Sequence, residues 1–69
     1  MLQVDARGLS CPEPLVMTKK TMDENVGVFQ VIVDSKAALE NVSRFAQDRG
    51  YFVKVEQDGS DFVLTITRT

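Results

Sequence analysis

The chain has no histidine, no tryptophan and a single cysteine, Cys11, among its 69 residues. Without histidine, neither a Ser-His-Asp triad nor a Cys-His nucleophile pair can be assembled. The common zinc-binding combinations of cysteine and histidine are missing too, so neither a metal nor another cofactor is expected. One cysteine forbids an internal disulfide and an internal Cys-x-x-Cys redox couple. A basic surplus is also lacking: eight basic residues face ten acidic ones, the formal net charge is −2, and the signs are interspersed. That balance argues against direct nucleic-acid binding. Apolar runs last only a few residues, too short for a membrane helix, and the first residues form neither a basic leader nor a hydrophobic signal segment. A free thiol without an export signal points to the cytoplasm, with no membrane partner.

What is present is an ordinary globular balance, 43% hydrophobic and 26% charged. This length suits one domain, 1–69, expected to act as a monomer. Such a domain buries only about 60% of its unfolded surface, and packing alone must hold it because disulfide and zinc are excluded.

Leu2 to Asp5 alternates apolar and polar residues and predicts a first strand with Leu2 and Val4 inward. A loop, Ala6 to Ser10, leads to Cys11-Pro12-Glu13-Pro14, and a helix starting at or just after Cys11 runs to Glu24. Asn25 to Gly27 breaks it. Val28 to Val33 is rich in β-branched and aromatic residues and reads as an interior strand. Asp34 or Ser35 can cap a second helix, whose Ala38, Leu39, Val42, Phe45 and Ala46 form one apolar stripe. Arg49 and Gly50 are its stop signals. The remainder reads as a hairpin with Asp58-Gly59 as a two-residue turn, which pairs Val55 with Phe62, Val53 with Leu64 and Tyr51 with Ile66. That register also sets Glu56 against Asp61, a like-charge mismatch. The order β-α-β-α-β-β predicts a two-layer α/β sandwich, with a mixed four-stranded sheet and both helices on one face.

Cys11 lies between the first strand and the first helix, beyond the carboxyl ends of the strands, where reactive groups gather in parallel α/β sheets. The positive end of a helix favours a thiolate. Pro12 and Pro14 lack N–H groups and stiffen the segment, and each biases the residue before it, Cys11 and Glu13, away from helical angles. Glu13 opposes a thiolate if it points inward, and Arg7 is the expected counterweight. Modest activation follows. Phe52 is expected on the solvent face as an isolated surface aromatic, and Met17 and Met22 as core filler.

Val4-Asp5-Ala6-Arg7-Gly8-Leu9-Ser10-Cys11-Pro12-Glu13-Pro14 resembles the signature of the TusA family, also called SirA-like or YedF-like, small sulfur carriers with a Cys-Pro-x-Pro motif. The likeness extends with lower fidelity over the whole chain and is closest to the YedF-like branch, associated with selenium metabolism. Longer members of that branch carry a second, DsrE-like domain. The resemblance implies that Cys11 accepts sulfane sulfur as a persulfide from a cysteine desulfurase or rhodanese-like donor. It passes the sulfur to an acceptor protein, on routes such as tRNA thiolation or sulfur and selenium metabolism. A carrier of this kind is a sulfurtransferase only in the sense of a covalent way station. Pro12 and Pro14 shape the site, with Glu13 between them, and Arg7 and Gly8 match the loop before it. Asp34, at the end of the second strand, stands near Cys11 if the first two strands are neighbours, though a helix cap is its favoured reading. One departure from the family is Val28 directly after Gly27, where many relatives have an acidic residue.

Two other readings compete. A regulatory or protein-interaction module could keep this fold with an unreactive Cys11, which resistance to alkylation in the folded state would reveal. RNA binding is suggested by a similar topology in the C-terminal domain of bacterial translation initiation factor three, but the acidic charge opposes it.

Overall fold

The computed structural model describes residues 2–9 and 12–69; Ser10 and Cys11 lie outside the described residues. The elements follow the predicted order: β1 (Leu2–Asp5), α1 (Glu13–Asp23), β2 (Val28–Val33), α2 (Lys36–Asp48), β3 (Tyr51–Asp58) and β4 (Asp61–Arg68). The four strands form one mixed sheet in the order β1-β2-β4-β3. β1 runs parallel to β2, while β4 is antiparallel to both β2 and β3.

Burial alternates along β2. Phe29, Val31 and Val33 are fully buried, whereas Val28 is 40% exposed, so only one face of this interior strand is covered. The buried side meets Leu64 and Ile66 of β4, Met22 of α1, and Val42 and Ala46 of α2 in a single core cluster. Both helices therefore pack on the same face, as expected. The opposite face carries a polar ladder across three strands. Gln3 Nε2 donates to Gln30 Oε1 (2.9 Å), and Gln30 Nε2 donates to Thr65 Oγ1 (3.2 Å).

The helices differ in how they begin. Ser35, not Asp34, caps α2: its extended backbone turns Oγ toward the Ala38 N–H at 3.1 Å. Such a cap contributes about 1 kcal/mol. α1 has Pro12 at its cap position, with no side-chain cap bond. Glu13 is already helical although it precedes Pro14, contrary to the extended bias expected of it. Pro14, the second helical residue, lies in the first turn, where a backbone N–H would have no intrahelical partner, so the proline removes nothing the helix needs. α1 turns Pro14, Thr18, Thr21 and Met22 inward. The two threonine hydroxyls donate to carbonyls one turn back, Thr18 to Pro14 O (2.8 Å) and Thr21 to Met17 O (3.0 Å), so neither is buried unsatisfied. Asn25 at φ +61° and Gly50 at φ +83° end the two helices in the left-handed region.

Two expectations need correction. The hairpin turn is Gly59-Ser60 rather than Asp58-Gly59, and the pairs are Val55 with Leu64, Val53 with Ile66 and Tyr51 with Arg68. Gly59 has φ +63° at the first central position while Ser60 has no positive φ, the pattern of a type II′ turn. An Asp58-Gly59 turn of type I′ would have demanded positive φ at Asp58, which instead extends β3. The slip moves the partners by two residues, so each side chain keeps its face. Asp61 now stands opposite Asp58, and Glu56 opposite Val63. Second, Leu2 and Val55 take the inner face, opposite the buried Phe29 and Leu64, but remain 49% and 45% exposed. Both sit on edge strands, and burial along β3 fades toward the turn, past the part near α2.

Candidate functional site

The loop after β1 is built by the parallel pairing of β1 and β2. The pairing continues one residue past β1, where the Ala6 N–H donates to Ile32 O at 2.9 Å and Ala6 is buried. The chain then turns at Arg7-Gly8. Gly8 holds φ +75°, a conformation that costs any residue with a Cβ, and its N–H donates to Asp34 Oδ2 at 2.8 Å. Asp34 thus serves the loop, while Ser35 serves the helix. The parallel neighbours bring Asp34 and Gly8 together across 26 residues of sequence.

Arg7 makes the second tie. Its Nε and Nη2 donate to the two carboxylate oxygens of Asp5 at 2.9 and 2.8 Å, and its backbone N–H donates to Asp5 Oδ1 at 3.1 Å. Its Nη1 reaches Asp61 Oδ2 at 3.2 Å. The guanidinium is the planar fork that such simultaneous bonding requires. The Arg7 side chain lowers the Asp5 pKa to about 2, with help from the Arg7 N–H. The Arg7 pKa is raised in turn, first by its bond to Asp5 and then by its bond to Asp61.

A depressed carboxylate contributes stability above its unfolded pKa and loses it as pH falls through the folded one. The Asp5–Arg7 clamp is therefore expected to hold at neutral pH and to open only between the ordinary value of 3.8 and about 2. NMR titration of the Asp5 side chain should give a midpoint near 2, and Arg7→Ala should return it toward 3.8. A wild-type midpoint near 3.8 would show that the clamp does not persist in solution.

Three residues beyond Gly8 comes Cys11, outside the described residues, and then α1 begins. Pro12 and Glu13 are exposed at its start while Pro14 is buried, which roots the motif's second proline in the domain. With no N–H on either proline, the first turn presents the amides of Glu13 and Leu15, which have no carbonyl one turn back inside the helix. Further along, Lys19 is matched by Asp23 at 2.8 Å, and Arg49 approaches the same carboxylate at 3.7 Å. An open groove of about 290 Å³, lined by Leu15, Asn41, Arg44, Phe45 and Asp48, runs between the helices from the residue after Pro14. This recess is open to solvent rather than closed around a small molecule.

Of the residues singled out in the sequence, Arg7, Gly8 and Asp34 converge on one end of the sheet, and Pro12, Glu13 and Pro14 form the adjoining head of α1. Asp5 and Asp61 join the cluster without having been singled out as site residues. Asp5 sits two residues before Arg7 and was legible as a local partner, whereas Asp61 carries no local signal.

Residues 2–68 match the protein-family model described as Sulfurtransferase TusA. A candidate sulfur carrier protein of Methanocaldococcus jannaschii is 41% identical over 71 residues, spanning 99% of this chain and 95% of the relative. Another, from Archaeoglobus fulgidus, is 35% identical over 74 residues, spanning 99% and 96%. The crystal structure of a SirA-like protein from Desulfitobacterium hafniense superposes with a TM-score of 0.89 at 32% identity, covering 97% of this chain and 96% of that one.

Proposed function

The chain belongs to the TusA sulfurtransferase family, and from that membership we propose that it is a small sulfur carrier with Cys11 as its persulfide site. The observation that supports this most directly is the setting of the motif. One thiol stands in the chain between a loop tied to the ends of two parallel strands and a helix opened by Pro12 and Pro14. No helix among the described residues is long and apolar enough to cross a membrane.

In loading, the Cys11 thiolate attacks the outer sulfur of a donor persulfide, R–S–SH. The new S–S bond forms as the old one breaks, and its electron pair leaves with the donor thiolate, giving Cys11–S–SH and R–S⁻. No oxidant or reductant is consumed. Delivery repeats the exchange with an acceptor cysteine. A second thiol nearby would attack the persulfide and discharge it, so a single cysteine suits a carrier. Because Arg7 is already matched by two carboxylates, activation of the thiol falls mainly to the N-terminus of α1 and stays modest. The donor is a cysteine desulfurase or rhodanese-like protein in the cytoplasm, and the acceptor feeds tRNA thiolation or sulfur or selenium metabolism.

Intact-mass measurement after incubation with a desulfurase and free cysteine should show a gain of one sulfur atom, reversed by a small reducing thiol. Absence of any adduct across several desulfurases and a rhodanese would sink the proposal.

A further inference from the structure

We propose that Asp61, the first residue of β4, is a positioning residue for the thiol-bearing loop and acts through Arg7. This rests on the carrier reading above and adds to it a residue 54 positions from Arg7 in sequence.

Beyond its own strand, the loop between β1 and α1 is hydrogen-bonded to the domain at three described points, and Leu9 packs against the core. Ala6 bonds the backbone of β2, Gly8 bonds Asp34 just beyond β2, and Arg7 bonds Asp61 at the start of β4. The Arg7–Asp5 bonds tie the loop only to the end of its own strand, β1, two residues back, and reach no other element. Asp61 supplies the tie that Asp5 cannot. Its side chain is also the better shielded of the two, 26% exposed against 56%, so solvent screens it less.

The hairpin has its own need for this cation. The β3–β4 register sets Asp58 directly opposite Asp61, a like-charge pair at the hairpin end. Arg7 offsets that repulsion while it ties down the loop, which couples the two features. Lysine could not replace it, because the same side chain serves Asp61 with Nη1 and Asp5 with Nε and Nη2.

Loss of one tie leaves the core untouched, since exposed ion pairs contribute little to global stability. It widens the range of orientations open to the loop that ends at Cys11. Transfer between two protein thiols needs the attacking sulfur held in line with the bond that breaks, so wider sampling slows transfer.

The test is Asp61→Asn in the full chain, followed by the rate of sulfur uptake from a desulfurase, the thermal midpoint, and hydrogen exchange at the Gly8 amide. Uptake should slow by about threefold to tenfold, between the worth of an exposed ion pair and the cost of misplacing a nucleophile. Gly8 exchange should accelerate, while the midpoint stays within about 3 °C of wild type. Asp61→Glu should recover part of the rate, and Asp61→Asn added to Arg7→Ala should slow uptake no further. A slowing that merely follows the loss of thermal stability would overturn the proposal, as would wild-type uptake in Asp61→Asn. Failure of the wild type to take up sulfur from any donor sinks the carrier reading, whereas unchanged Gly8 exchange in Asp61→Asn sinks this one.

Discussion

Replacing Cys11 with serine is expected to eliminate sulfur loading rather than reduce it. The expectation of total loss comes from the composition: there is one thiol, and there is no histidine to recruit as a substitute nucleophile. The remaining sulfur atoms belong to Met1, Met17 and Met22. These are thioethers with no proton to lose, so none can become the anion that attacks a donor persulfide. An ordinary cysteine, with a pKa of about 8.5, is a few per cent thiolate at pH 7, whereas a serine hydroxyl supplies no useful anion there. Intact mass after incubation with a desulfurase and cysteine should therefore show the wild type with one added sulfur and Cys11→Ser unchanged. Any sulfur adduct on the serine variant would mean that the cargo is held elsewhere, and the assignment of Cys11 would fall. The same experiment separates the carrier from an interaction module of the same fold, because such a module would load neither form.

Local patterns reveal local structure in this chain, and the site shows where they stop. The apolar stripe of α2 and the β-branched run of β2 each declare their element, because periodicity is set by residues within a turn or two. The hairpin shows the first limit. Alternation along β3 and β4 determines which face a side chain takes, but a shift of two residues preserves every face. The choice between registers therefore depended on which residue would accept positive φ, and Gly59 could stand at either central position. The candidate site shows the second. Cys11-Pro12-Glu13-Pro14 is contiguous and was legible as a stiff segment bearing a thiol. Asp34 reads more readily as a helix cap, and only the parallel pairing of β1 with β2 directs it to Gly8 instead. Asp61 was legible only as half of a mismatch with Glu56. Its actual partners, Asp58 across the hairpin and Arg7 across the sheet, follow from a register and a strand order that no local pattern contains.

Phe29→Ala is expected to have the largest effect on stability. Phe29 is fully buried in β2 and heads the buried side chains in size, paired with Leu2 of β1 on one side and Ile66 of β4 on the other. Truncating such a ring removes its transfer free energy and leaves a cavity that the sheet can close only in part, a loss of about 3 to 5 kcal/mol. At about 0.05 to 0.15 kcal/mol per residue, a domain of this length is held by roughly 3 to 10 kcal/mol in all. One substitution therefore approaches the lower end of the whole, and one cysteine leaves no internal cross-link to restrain the chain once it opens. Urea titration should show Phe29→Ala partly unfolded without denaturant or melting at its first additions. Phe52→Ala provides the control, since it removes the same ring from a position 72% exposed and should change stability by less than about 0.5 kcal/mol. Equal losses in the two variants would contradict the core described here. A large loss at Phe52 alone would instead show that the open face of the sheet is covered in solution, because an exposed ring has no packing to lose until something lies against it.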